Sequence, residues 1–487
     1  MFDEFLAQGR FSAVDHMVAR EIFPTGSCWL GLWVAKAFRQ GNLSVSLDAI
    51  SDSLASVFVD DYARPAQEHQ LKEIEKSVLD ELECVDANRL IITDSSVALP
   101  YAHGLEQRLK AHAERLLSAK AALDAGALSG EAVNTDQLRA VEKALEHTLC
   151  LITGGPGTGK TYTAGTWLRS VAGASYIRAA LVAPTGRAVQ ALESSIRRFV
   201  PESVSVDAHT IHRAVLRSSI LPYHVLIIDE CSMIDSALLL QLFERVHEGT
   251  RVLMLGDANQ LPPIEPGAPF IELLQTMPSA SLNICQRTQA PTLLALADRV
   301  RSRQKIGAWL EQQMPAQDVV CYNCTGAADW ERARQAVEQY VVGPWKENSS
   351  LDSLRQAIVL SPVRRGPWGS DTINASVVTG RFEPVVICKN APHLELTNGE
   401  LGLHDRACQQ IHFPHAVIPS VVCPVFERAY AMSVHKSQGS EFDTVVFVLP
   451  PGSLVDWRLI YTAVTRAKKK LILIADFDHL DTMVSSV

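Results

Sequence analysis

The stretch Gly154–Thr161 reads GGPGTGKT, and it limits the possible folds more than any other part of the chain. It stands between an apolar run, TLCLIT, and a segment of helical composition, TYTAGTWL. Glycines at this spacing let a loop turn tightly and aim its N–H groups at one point, with a strand entering and a helix leaving. Such a strand–loop–helix unit belongs in a parallel sheet covered by helices. The rest of the sequence supplies that sheet. AALVAPT, HVLIIDE and RVLMLGD are apolar runs of strand length closed by Pro, Thr, Gly or acidic residues, and the pattern returns in QAIVLSP, TVVFVLP and LILIAD. The fold class is therefore α/β, with two units expected at 126–275 and 276–487 and a β-rich, proline-containing insertion at about 376–428 in the second. Residues 1–125, which include the helical stretch Tyr101–Ala125, are expected to form a separate, mostly helical N-terminal domain, with the polar SGEAVNTDQ as its boundary.

A net charge of −9 excludes a protein coated in basic surface, so any nucleic acid must meet a local groove. The start MFDEFLAQGR does not read as a signal peptide, and no run of about eighteen apolar residues suggests a membrane span. Ten cysteines in mostly apolar neighbourhoods read as reduced thiols of a cytoplasmic protein. Cys321 and Cys324 have metal-like spacing, but no second CxxC or HxxxH accompanies them, which argues against structural zinc.

GGPGTGKT fits the phosphate-binding template. Lys160 reaches β and γ phosphates, and the Thr161 hydroxyl suits Mg²⁺. Asp229 and Glu230 end the run HVLII, where an acid faces the crevice at the strand tips. Asp229 is expected to hold Mg²⁺ and Glu230 to polarise the attacking water. Hydrolysis of ATP also needs positive charge on the γ phosphate, an arginine there being worth about 10³–10⁵ in rate. Arg287 and Arg466 are the candidates, both outside the first sheet.

These motifs stand in the order of superfamily 1 helicases, and the chain resembles the RecD type over about residues 130–475. Gln137 resembles the glutamine that reads adenine, and GGPGTGKT from Gly154, Gly155, Pro156, Gly157, Thr158 and Gly159 to Lys160, Thr161 and the following Tyr162 resembles motif I. Ala183–Gln190 (APTGRAVQ) and Ala208–Val215 (AHTIHRAV) resemble DNA-contacting segments. Asp229–Asp235 (DECSMID) and Gly256–Ile264 (GDANQLPPI) resemble motifs II and III, the latter with Gln260 as γ-phosphate sensor. Arg287 falls at motif IV, while Ser361–Asn374 and Asn398–Gly402 resemble further RecD-type segments. Ala431–Val446 (AMSVHKSQGSEFDTVV) and Leu459–Leu471 (LIYTAVTRAKKKL) resemble motifs V and VI. The resemblance implies two RecA-like domains, an SH3-like insertion, ATP with Mg²⁺, and 5′→3′ movement on single-stranded DNA. Gly439 and Glu441 are then near nucleotide. Thr185, Arg187, His209, Thr210, Arg364, Asn398, His435, Lys436 and Ser437 face the strand, short polar side chains and cations being what holds phosphates without reading bases.

The resemblance also implies RecB-like and RecC-like partner subunits, with the N-terminal region as the docking part and any nuclease on a partner. The interval Ala214–Val225 is short for the strand-splitting hairpin of such proteins, so weak duplex separation by the chain alone is expected. A free-standing RecD-like or Pif1-like helicase is the alternative. A nucleotide-gated scaffold is a third reading, which the intact Glu230, Gln260, Arg287 and Arg466 disfavour.

Overall fold

Strands built from uninterrupted Val, Ile and Leu must be covered on both faces, and helices do this on both large sheets of the computed structural model. The structure describes residues 12–24, 28–47, 64–84, 86, 88–93, 95–123, 134–172, 176–217, 220–285, 290–314, 316–378, 380–453 and 455–485. The chain opens with helices Ala13–Ile22, Trp29–Arg39 and Arg64–Cys84 beside a small antiparallel sheet of β1 (Ser44–Ser46), β2 (Ile91–Ile92) and β3 (Ser96–Ala98), in the order β1-β3-β2. Trp29, Leu30, Trp33, Ile74, Val78, Leu90 and Val97 form its core. The buried Glu81 carboxylate accepts from the Trp29 and Leu30 N–H groups at 3.1 and 2.8 Å, satisfying the first turn of that helix.

The first large sheet contains β4 (Leu149–Gly154), β5 (Ile177–Ala183), β6 (Val204–Thr210), β7 (Val225–Ile228), β8 (Arg251–Gly256) and β9 (Ser279–Leu282). Its order is β6-β5-β7-β8-β4-β9, parallel throughout. β7 and β8 are buried at every position. β10 (Val319–Asn323) and β11 (Ala357–Ser361) begin the second sheet. The chain then leaves it for β12 (Phe382–Ile387), β13 (Leu401–Asp405), β14 (Gln410–His412), β15 (Val417–Pro419) and β16 (Phe426–Arg428), an antiparallel sheet in the order β15-β14-β13-β12-β16. It returns through β17 (Ala431–Ser433), β18 (Phe442–Val448) and β19 (Ala467–Ala475) to complete β10-β19-β18-β11-β17, again parallel.

Two elements lie across the expected divisions. The division at 275/276 falls at the end of helix Pro269–Thr276, yet the first sheet continues to β9, which pairs with β4. Four residues of small polar character, SASL, carry too little periodicity to announce a strand. The helix expected to close the N-terminal domain, observed as Pro100–Ser118, instead packs on the first sheet. Its Ala102, Leu105, Leu109, Ala113 and Leu116 share a core with Leu149, Leu226 and Phe243. Arg115 donates to Phe243 O at 2.8 Å, and Thr148 Oγ1 to Leu116 O at 2.7 Å. An amphipathic helix announces an apolar face but not the neighbour that covers it.

Candidate nucleotide cleft between two parallel sheets

The loop after β4 turns through left-handed backbone at Gly157 (φ 78°) and Gly159 (φ 86°), then enters helix Lys160–Ala172. A Cβ at Gly159 would stand 2.4 Å from Gln137 Nε2, so this glycine also admits a close neighbour. Gln137 is buried, donates to Thr158 O at 3.1 Å, and caps its own helix Thr135–Glu146 through Asn134. The Thr158 hydroxyl bonds Gly155 O at 2.8 Å, and Lys160 Nζ lies over Gly154 O and Gly155 O at 2.6 and 3.2 Å. Tyr162 packs edge-on against Phe199.

A cavity of about 710 Å³ opens in front of this loop. From the first sheet it takes Pro156, Gly157, Gly159, Lys160, Thr161, Asp229, Glu230 and Gln260. Strand order explains the convergence: β4, β8 and β7 are consecutive neighbours, so the residues after their tips share one edge. Glu230 has left-handed backbone (φ 52°) at the end of β7. Burial and the adjoining Glu230 push the Asp229 carboxyl well above the usual range, partly offset by Lys160. Gln260 donates to Asp257 Oδ2 at 3.2 Å, while its buried Oε1 has no partner among the described residues.

From the second sheet the same cavity takes Gly439, Glu441, Arg466, Arg355 and Lys468. Arg466 closes helix Trp457–Thr465, is only 3% exposed, and donates to Ser440 O at 3.1 Å and Thr462 O at 3.2 Å. Hydrogen bonds tie the sheets together across the cleft. Tyr461 Oη donates to Asp257 Oδ2 at 3.1 Å, Leu261 N to Thr462 Oγ1 at 3.1 Å, and Gln438 Nε2 to Leu261 O at 3.3 Å. A second cavity of about 250 Å³ lies behind the loop, between Gly155, Pro156 and Thr158 on one side and Leu293, Ala297, Arg301 and Tyr461 on the other. Arg287 lies outside the described residues.

The strand-facing set divides. Arg364 is exposed and Lys436 half-buried, and both pair with Glu427, at 2.8 and 2.6 Å. His209 and Thr210 end β6, Asn398 is exposed in the loop before β13, and His435 is partly buried, its imidazole pushed toward the neutral form by that burial. Thr185 caps helix Gly186–Ile196 by accepting from Ala188 N at 3.2 Å. Two of the set are placed elsewhere. Ser437 is 0% exposed and donates to Val434 O at 2.7 Å, its hydroxyl turned inward by a 3₁₀ turn. Arg187 lines the nucleotide cavity and donates to Ser440 Oγ at 2.5 Å, because the first turn of its helix points it across the cleft. Sequence reading missed Arg355, Lys468, Ser440 and the Tyr461–Asp257 bond. Tyr461 stood inside a quoted motif, but Arg355 sits in the undistinguished DSLRQ, and only the packing of β11 brings it to the cleft.

Cys321 and Cys324 flank the tip of β10, where burial pushes their thiols up to about 12 and about 11. Among the described residues no group of three or more His, Cys, Asp or Glu side chains could hold a metal ion, and no helix is long and apolar enough to cross a membrane.

Residues 132–316 match the AAA domain family, and residues 428–474 match the UvrD-like helicase C-terminal domain. The ATP-dependent RecD2 DNA helicase of Deinococcus radiodurans is 28% identical over 416 residues, covering 77% of this chain and 55% of that protein. The chain thus spans about half the length of that relative. The RecBCD enzyme subunit RecD of Mycolicibacterium smegmatis is 28% identical over 398 residues, covering 69% of this chain and 70% of that one. The same subunit from Haemophilus influenzae is 28% identical over 443 residues, with 69% and 68% covered. Among solved structures, Pif1 helicase from Bacteroides in complex with ADP-AlF3 and ssDNA superposes at a TM-score of 0.40 and 16% identity, covering 70% of this chain and 92% of that one. In its two matched domains and in these relatives, the chain is similar to RecD subunits and to a RecD2 DNA helicase.

Proposed function

We propose that the chain hydrolyses ATP in this cleft and converts the cycle into 5′→3′ movement along single-stranded DNA, as one subunit of a RecBCD-type helicase–nuclease in break repair and recombination. One observation carries the proposal: Lys160 from the first sheet and Arg466 from the second line one cavity, with Glu230 and Gln260 between them. A nucleotide held from both sides makes the relative position of the sheets depend on whether the γ phosphate is present. Glu230 accepts a proton from the attacking water, Gln260 senses the γ phosphate through an N–H of its Nε2 amide, and Lys160 with Arg466 meets the charge that develops on the transferred group.

Thr161 and Asp229 offer the hydroxyl and carboxylate oxygens that Mg²⁺ prefers, the remaining ligands coming from phosphates and water, so the residues fit that ion. Bound there, it would neutralise charge on the β and γ oxygens. The cavity behind the loop suits the nucleobase, and Arg287 and the buried Gln137 are assigned to the nucleotide by the resemblance.

In this reading the chain comprises an N-terminal docking domain, two RecA-like motor domains and an SH3-like insertion formed by β12–β16. Arg364, Lys436, His209, Thr210, Thr185, Asn398 and His435 track the DNA backbone. RecB-like and RecC-like subunits complete the assembly, and the location is cytoplasmic. The relatives named RecD support the subunit role. The match to a RecD2 helicase over 77% of this chain favours a second reading, a free-standing helicase. Purification from the source cells separates the two: co-purification of two larger chains, one with a nuclease domain, supports the first. Lys160→Gln tests both, since a motor loses ATP turnover and translocation together, whereas a nucleotide-gated scaffold keeps most of its function.

A further inference from the structure

Arg187 and Arg355 serve no purpose assigned so far, yet both line the cleft. Arg187, Gln190, Ser194 and Ser195 follow one another at helical spacing along Gly186–Ile196 and form one wall. Arg355 and Lys468 stand on the wall contributed by the second sheet. Contacts lead there directly from Glu230. A Cβ at Gly439 would stand 4.0 Å from Glu230 Oε1, and the next residue, Ser440, takes Arg187 on its hydroxyl at 2.5 Å and Arg466 on its carbonyl at 3.1 Å. The cavity lining holds five cations, Lys160, Arg187, Arg355, Arg466 and Lys468, against the carboxylates Asp229, Glu230 and Glu441. Of these, Glu441 is engaged with Lys468 at 3.6 Å. Arg355 is exposed on the cleft wall.

Like charges crowded into a cleft are costly unless an anion joins them. Arg187 shows the cost. Its burial, and next the repulsion of Arg355, depress its pKa to about 10, although Glu400 and Glu441 oppose that. Lys160 and Arg466 suffice to grip a triphosphate between the sheets, which leaves the cations beyond Ser440 for a separate anion.

We propose that Arg187 and Arg355, with Ser440 and Lys468, form a second anion site in the cleft that takes inorganic phosphate after its separation from ADP. The site rests on the ATPase reading above and adds a station on the path by which phosphate departs. Because Arg187 comes from the first sheet and Arg355 from the second, phosphate held there keeps the sheets together after the bond is cut. Their separation is then tied to phosphate leaving and not to cleavage itself.

The full-length chain, saturated with Mg²⁺–ADP and an oligothymidylate, is titrated with inorganic phosphate by calorimetry. The same titration is made on Arg355→Ala and Arg355→Lys, with thermal melting to confirm the fold, since Arg355 is exposed. The expected result is phosphate binding to wild type, weakened about tenfold by Arg355→Ala and largely restored by Arg355→Lys, with ADP affinity changed less than about twofold. Absence of phosphate binding to the wild-type ADP form, an unchanged phosphate constant in Arg355→Ala, or an equal loss for ADP would overturn the proposal. ATP turnover is measured on the same wild-type sample. Its absence would sink the motor reading, while the titration still decides the phosphate site.

Discussion

Asp257 accepts from Tyr461 and Gln260 on one carboxylate oxygen and from Asn259 N on the other, so one side chain joins the two sheets to Gln260, the residue proposed to sense the γ phosphate. Tyr461→Phe removes the bond from the second sheet and leaves the packing in place. The loss of a hydrogen bond to a buried charge is worth about 1–3 kcal/mol. The expected outcome is a stimulation of ATP turnover by single-stranded DNA reduced several-fold, with turnover in the absence of DNA much less affected, checked by steady-state assay of both rates. Gln260→Ala removes the sensor amide and should lower DNA-stimulated kcat at least about tenfold with KM nearly unchanged, the mark of an interaction made in the transition state. The residues of the cleft were legible where their chemistry depends on chain neighbours: a glycine loop before a helix, acids at a strand tip. Ser437 and Arg187 were misplaced because a motif names residue types and not the direction in which a turn aims each one. Arg355 was invisible because its neighbours in space lie far away in the chain.

Among elements, the strands were the easiest to read and the helices the hardest to place. VLII, LCLIT and LILIA announce buried parallel strands by composition alone, whereas the helix Pro100–Ser118 announced only that one of its faces needed cover. The first helix, Ala13–Ile22, offers a test by pH. Ser12 and Asp15 form a reciprocal cap, and Arg39 bonds both Asp15 oxygens at 2.9 and 2.8 Å. Burial works to raise the Asp15 carboxyl, but the bonds from Arg39 and Ser12 outweigh it and hold the carboxyl below its ordinary value. A lowered folded-state value means the contribution is complete above the unfolded value, about 3.9, and fades as pH falls below it. Asp15→Asn should therefore melt earlier than wild type at pH 7, by about 1–2 kcal/mol, and the difference should shrink below about pH 4. Thermal melting followed by circular dichroism between pH 3 and 7 checks this.

For the whole molecule, the position of helix Pro100–Ser118 changes what can be removed. Truncation before residue 99 takes away the N-terminal helices and β1–β3, and the account expects a folded ATPase that no longer assembles with partners. Truncation before residue 120 also strips three buried leucines, each worth about 1.5–3 kcal/mol, and two buried alanines from the core of the first sheet, and is expected to unfold that sheet. Soluble expression and DNA-stimulated turnover of the two products distinguish the outcomes. Among the described residues between helix Ile211–Arg217 and β7, the strand-like pairing is an isolated bridge from Leu221 to Val246, and Leu216 in the helix before it is 86% exposed. Opening duplex costs about 1.4 kcal/mol of stacking per base pair step. Duplex unwinding by the isolated chain is accordingly expected to lag well behind its translocation on single strands, as a paired fluorescence assay of the two rates would reveal.

The central claim is that one nucleotide is gripped from both sheets, and a single-turnover measurement of ATP hydrolysis by Arg466→Ala on saturating single-stranded DNA tests it most directly. The account predicts a hydrolysis rate lowered about a thousandfold or more with ATP affinity kept within a few-fold, because the guanidinium acts on charge that develops as the bond breaks. A hydrolysis rate equal to that of wild type would contradict it.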